Sequence, residues 1–190
     1  MAGCRKVAAL ALSGALLCCV GRPFQVRLLA QRGLEYEVKA AYLYNIVNFV
    51  TWPPDAFTGP ADPLHVCVYG TDPFGKLLDN AMQNGTANKR PVQVLRVTDP
   101  GRLADCEVVF LPGGNTDRID QAVKSVAQRP ALIVGETPDF LRRGGMIAFV
   151  IDGGRVRFDV NLPAAMAHGL TLSARLLQVA RTVTGQRPTG

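Results

Sequence analysis

The sequence predicts an α/β domain: a mostly parallel, mixed sheet with helices on both faces, an antiparallel C-terminal hairpin, and a cleaved signal peptide in front. Three observations lead there. Short, continuous β-rich runs alternate with helical stretches, as in strands whose two faces are both covered. MIAFVIDGGRVRFDVNL (Met146–Leu162) alternates on either side of Asp152-Gly153-Gly154, which reads as a hairpin. Finally, the fourteen residues from Val7 to Val20 carry no charge and follow Arg5 and Lys6, the length and flank of a secretory h-region.

Taken in order, the first element of the folded domain is an amphipathic helix in EYEVKAAYLYNIVNFVTWPP (Glu35–Pro54). Val38, Tyr42 and Phe49 share a stripe, and Leu43, Ile46, Val47 and Val50 widen it. Pro53 disfavours helical geometry at Trp52, so the helix is expected to end by that point. LHVCVYG (Leu64–Gly70) is a strand. Asp72-Pro73 opens a helix that runs through Leu77, Leu78 and Met82 to Asn84-Gly85, with Asp72 as N-cap and Pro73 at the first helical position. PVQVLRV (Pro91–Val97) and CEVVFLP (Cys106–Pro112) are the second and third strands. A helix carrying Ile119, Val123 and Val126 follows the Gly113-Gly114 turn. ALIVGE (Ala131–Glu136) is a fourth strand, and a short helix from Thr137-Pro138-Asp139 ends before Gly144-Gly145. After the hairpin comes a final helix, Pro163 to Thr182, in which Gly169 marks a kink or close packing. A 2-1-3-4 order of the four core strands sets the Cys67 strand beside the Cys106 strand.

The leader occupies residues 1–30, with cleavage after Gly21 or after Ala30. A single domain spans 35–183 and a tail spans 184–190. Removing the leader changes the charge argument. The chain has 21 Lys+Arg against 15 Asp+Glu, but residues 31–190 hold 17 against 15. Near-neutrality removes the compositional case for nucleic-acid binding.

Cys4, Cys18 and Cys19 fall in the leader, which leaves Cys67 and Cys106. An even count in an exported chain favours a disulfide, two separate buried thiols being the alternative. Closing a loop of that length is worth roughly 4 kcal/mol in the chain-entropy model. His65 and His168 lie at no ligand-type spacing from the cysteines, so no metal is expected.

A sheet of this class offers two strand-end loops at its switch point, GTDPFG and PGGNTD, and Thr71, Asp72, Gly113, Gly114 and Asn115 are the candidates there for an anion or small polar ligand. Neither loop is a GxGxxG or P-loop pattern. There is no GxSxG, SxxK or persuasive carboxylate pair, so the reading is non-enzymatic and without a cofactor. Partner surfaces are sought elsewhere. In RVRFDVNL, Arg155, Arg157 and Asp159 alternate onto one face while Val156, Phe158 and Val160 face the core. That basic ribbon suits an acidic partner. Tyr42 and Trp52 are the aromatic candidates near the first helix.

The wording K-A-A-Y-L-Y-N-x-x-x-F-V-x-W-P, from Lys39 to Pro53, resembles the opening helix of the YfiR-like family of secreted bacterial proteins. The pair Cys67 and Cys106 agrees with it. So do GETPDF, GGMIAFVIDGGRVRFDVNLPAA and GLTLSARLLQVA, and the resemblance covers Glu35 to Val183. It implies a bridge between Cys67 and Cys106, a periplasmic location and a homodimer. It also implies a repressor of an inner-membrane diguanylate cyclase, bound at that enzyme's periplasmic region and sequestered by an OmpA/Pal-like outer-membrane lipoprotein. A second cysteine pair found in some members is missing here. The alternative function is a periplasmic small-ligand sensor or carrier.

Overall fold

The structure, a computed structural model, describes residues 22–185 apart from Asn84 and Gly114, with side chains from Gln31 onward. Of the expected leader, residues 1–30, Met1–Gly21 lie outside the described residues and 22–30 belong to the first helix. The first helix, α1, spans Arg22–Asn48 and leads into a two-residue strand, β1 (Val50–Thr51). Then come β2 (Leu64–Tyr69), α2 (Lys76–Met82), β3 (Thr86–Ala87), β4 (Arg90–Val97), β5 (Val108–Leu111), α3 (Thr116–Ser125) and β6 (Leu132–Gly135). The hairpin is β7 (Ile147–Asp152) and β8 (Arg155–Asn161). The chain continues through α4 (Leu162–Ala167), β9 (Thr171–Leu172), α5 (Ala174–Val179) and β10 (Thr182–Thr184).

Eight strands form one sheet in the order β10-β8-β7-β6-β5-β2-β4-β3, and β1 pairs with β9 separately. The β4-β2-β5-β6 core is parallel and follows the expected 2-1-3-4 order. β7 joins β6 in parallel, and β8 returns antiparallel to β7. Continuous burial of Val66–Tyr69, Val108–Leu111 and Leu132–Gly135 explains why these runs carry no polar alternation. Phe110 meets Phe74 and Phe149 on the face covered by α1. Tyr69 points the other way and donates its hydroxyl to Gln121 of α3. Helices therefore cover both faces.

The first helix starts earlier than expected, at Arg22 rather than at Glu35, and ends before Trp52 as expected. It stops at Asn48, four residues before Trp52, because tertiary pairing takes the backbone away from helical geometry. Val50 and Thr51 pair with Leu172 and Thr171, and Ser173 donates its N–H to the Phe49 carbonyl. The Asn88 side-chain amide donates to the Val50 carbonyl at 2.8 Å. Leu43, Ile46 and Val47 are fully buried, each worth about 1.5–3 kcal/mol by transfer. Val38, placed on the core stripe by periodicity, is exposed.

Two other helices need correction. Asp72 does not cap α2: its carboxylate accepts the Phe74 N–H in a local turn, and the helix begins at Lys76. Phe74 instead plugs the core, edge-on to Tyr36 at 5.3 Å and to Phe110 at 4.7 Å. The expected final helix is two short helices with β9 between them. Gly169 sits at φ +73°, a left-handed conformation that ends α4 and turns the chain toward β1. The end of the expected helix is β10, parallel to β8 and joined to it where Arg181 donates its N–H to the Phe158 carbonyl.

Candidate functional site

Three of the large apolar side chains left exposed, Leu34 (64 %), Val38 (43 %) and Ile151 (54 %), converge on one groove. Its volume is about 570 Å³. The helix wall is Leu34, Val38 and Tyr42, spaced i, i+4, i+8 along α1, a ridge that helical geometry puts on one side. The opposite wall is the hairpin end: Ile151, Val156, Arg155 and Arg157. Tyr42 is half-buried and anchored edge-on to Phe158 at 5.8 Å. Arg155 and Arg157 are exposed and make no ion pair among the described residues. Two sequence candidates that were separate, the helix aromatic and the basic ribbon, thus form the walls of a single concave surface.

Asp159 and Trp52 are not part of it. Asp159 alternates correctly with Arg155 and Arg157, but β10 covers it, and Arg181 holds it through Nε at 2.8 Å and a second guanidinium nitrogen. That contact holds the Asp159 carboxyl below the usual carboxylate range. Trp52 is buried, and its indole Nε1 has no hydrogen-bond partner among the described residues.

Next to the groove lies a buried ionic cluster at the carboxyl ends of β5 and β6. Lys39 sits between Glu35 and Glu136, with Nζ 2.5 Å from a carboxylate oxygen of each. Glu136 also accepts the Tyr36 hydroxyl at 2.9 Å and the Gly113 N–H at 2.8 Å. Burial, reinforced by the Glu136 carboxylate, pushes the Tyr36 phenol well above its ordinary value. Sequence reasoning missed Lys39 and Glu136 as partners. The only local signal was Glu35 four residues before Lys39, which normally marks a surface pair.

The strand-end loops do less than expected. Asp72 is engaged by Arg96 at 3.0 Å, and Arg96 also reaches Asp79 and the Gly75 carbonyl. This holds the Asp79 carboxyl down. Thr71 is exposed, and the space beside Gly70 is filled by the Arg118 guanidinium. Asn115 accepts the N–H groups of Asp117 and Arg118 as the N-cap of α3. Gly113 serves Glu136, and Gly114 lies outside the described residues. Cys67 and Cys106 form a disulfide that links β2 to the segment just before β5, with their Cα atoms 5.9 Å apart. Among the described residues no His, Cys, Asp and Glu group could hold a metal ion, and no helix is long and apolar enough to cross a membrane.

The site thus lies on an α/β domain whose helix α1 and β7–β8 hairpin enclose an exposed groove, apolar on the helix side and basic at the hairpin end. The chain belongs to the YfiR/HmsC-like family (DUF4154), whose profile matches residues 36–181. Membership fits a periplasmic regulator in cyclic-di-GMP signalling. Two solved structures share the fold. One is the ABC domain from Streptococcus pneumonia in complex with L-Trp, with TM-score 0.51, 14 % identity and 76 % of this chain covered. The other is a conserved domain protein from Vibrio cholerae O1 biovar El Tor strain N16961, with TM-score 0.52, 13 % identity and 78 % covered. The chain spans about 60 % of the length of each.

Proposed function

We propose that this protein is a periplasmic, non-enzymatic repressor. It binds the periplasmic region of an inner-membrane diguanylate cyclase through the groove between α1 and the β7–β8 hairpin. A signal peptide within residues 1–30 exports it, and residues 35–183 form its single domain. An OmpA/Pal-like outer-membrane lipoprotein competes for it, and it works as a homodimer. Repression is then a population shift: the cyclase-bound fraction falls as the lipoprotein takes up free repressor.

The supporting observation is the convergence of Leu34, Val38 and Ile151 with two exposed arginines, unpaired among the described residues, on one concave face. Exposed apolar surface with a charged rim is the composition of a protein-binding patch. Arginine at such a rim suits an acidic partner segment. The test is co-purification of the cyclase's periplasmic region with wild-type protein and with an Arg155→Glu, Arg157→Glu variant whose folding is verified by circular dichroism. Loss of retention is expected. Undiminished retention excludes this surface.

A further inference from the structure

The sheet is not flush at its carboxyl end. β6 last pairs with β7 at Gly135, opposite Ala148, whereas β7 continues beside β8 to Asp152. From Phe149 to Asp152 the edge of β7 that faces β6 therefore has no strand beside it among the described residues, a length of about 13 Å. The local chemistry enforces this early stop. A Cβ on Gly135 would lie 2.4 Å from the Phe140 ring, which turns back against the strand end. One residue later the Glu136 carboxylate is held by Tyr36, Lys39 and Gly113. The chain leaves the strand track, and the track beyond it is an open cleft of about 780 Å³, within the ordinary range for ligand sites.

The charges around this cleft balance. Glu35, Glu136 and Asp159 face Lys39, Arg142 and Arg181. Each of the six already has an opposite charge inside the chain: Lys39 with both glutamates, Arg181 with Asp159, and Arg142 with Asp139. Because Lys39 is shared by two glutamates and Arg142 is taken by Asp139, no cation of the cleft is left over for a bare anion. The groups without a strand partner are the backbone donors and acceptors along the β7 edge, flanked by the apolar Leu141, Phe149 and Ile151. Such an edge is a template for one more strand.

We propose that the cleft binds an extended peptide segment of three or four residues, which continues the track of β6 along β7 and turns uncharged apolar side chains toward Leu141, Phe149 and Ile151. This inference does not depend on which signalling enzyme the protein restrains. The cleft adjoins the α1–hairpin groove only through Glu35 and Ile151.

The test uses isotope-labelled mature protein and a pool of acetylated, amidated tetrapeptides built from Val, Leu, Thr and Phe. A fully N-methylated pool, which lacks the backbone donors, is the control. At millimolar peptide, the Phe149–Asp152 amides that face β6 should shift saturably, and their exchange with solvent should slow by about tenfold. The N-methylated pool should leave them unchanged. Three results would overturn the proposal: no response at these amides, an equal response to both pools, or shifts confined to Leu34, Val38 and Tyr42. Equal protection by free amino acids or inorganic phosphate would also overturn it, by assigning the cleft to a small polar ligand.

Discussion

The Gly70–Gly75 loop and the groove between α1 and the hairpin make an instructive pair. Both are built from residue types that serve as binding sites in other proteins, and both attracted attention in the sequence. In the loop, Thr71 apart, such groups are already spent inside the molecule. Asp72 is taken by Arg96 and the Phe74 N–H, Phe74 is in the core, and Arg118 fills the space beside Gly70. In the groove the reverse holds. Leu34, Val38 and Ile151 face solvent, and among the described residues Arg155 and Arg157 have no carboxylate partner. A binding surface is distinguished less by its residue types than by the interactions the fold leaves unmade.

Four experiments can break or sharpen this contrast. The largest effect is expected from Phe74→Ala, which should lower unfolding stability by about 4 kcal/mol in denaturant titrations, the cost of emptying a buried aromatic site. Partner binding per folded molecule should not change. A loss of binding at full folding would mean that the loop belongs to the site. Lys39→Met comes next. It leaves Glu136 buried without its cation and should cost about 3 kcal/mol. A neutral result would show that the cluster is solvated and holds nothing together.

The third experiment is pH-dependent. The native carboxyls of Asp159 and Asp79 are held low by Arg181 and Arg96. Each therefore adds stability that is fully present above the unfolded carboxyl value, about 4, and lost as pH falls through the lower native value. Denaturation midpoints measured across that window should fall with pH, and Asp159→Asn should flatten part of the slope. An unchanged slope would remove the Asp159–Arg181 pair from the account of β10 docking. The smallest stability change is expected from Leu34→Ser with Val38→Ser, within about 0.5 kcal/mol because both side chains are solvent-exposed. Partner retention should nonetheless drop. If stability falls by several kilocalories instead, the groove is a structural seam.

Much of the architecture was legible in the sequence, for a physical reason. LHVCVY, CEVVFL and ALIVG are buried on both sides, so their composition alone marks central parallel strands, and the cysteine pair agreed with their order. Local signals failed where distant backbone decided the outcome. Nothing in TLSARLLQVA announces that Thr171 and Leu172 will pair with Val50 and Thr51, more than a hundred residues earlier. Lys39 reads as a surface residue until Glu136 is folded against it. The groove was half legible: Tyr42, Arg155 and Arg157 were picked out singly. Their adjacency, and the exposure of Leu34 and Val38, depend on how α1 crosses the hairpin.

The covalent link between Cys67 and Cys106 encloses α2, β3 and β4 within a ring of chain. The outermost strands at that edge of the sheet are therefore carried on a closed loop. A protease that cuts between residues 68 and 105 releases no fragment. The nicked protein should migrate as one species without reductant and separate into two only when a thiol is added.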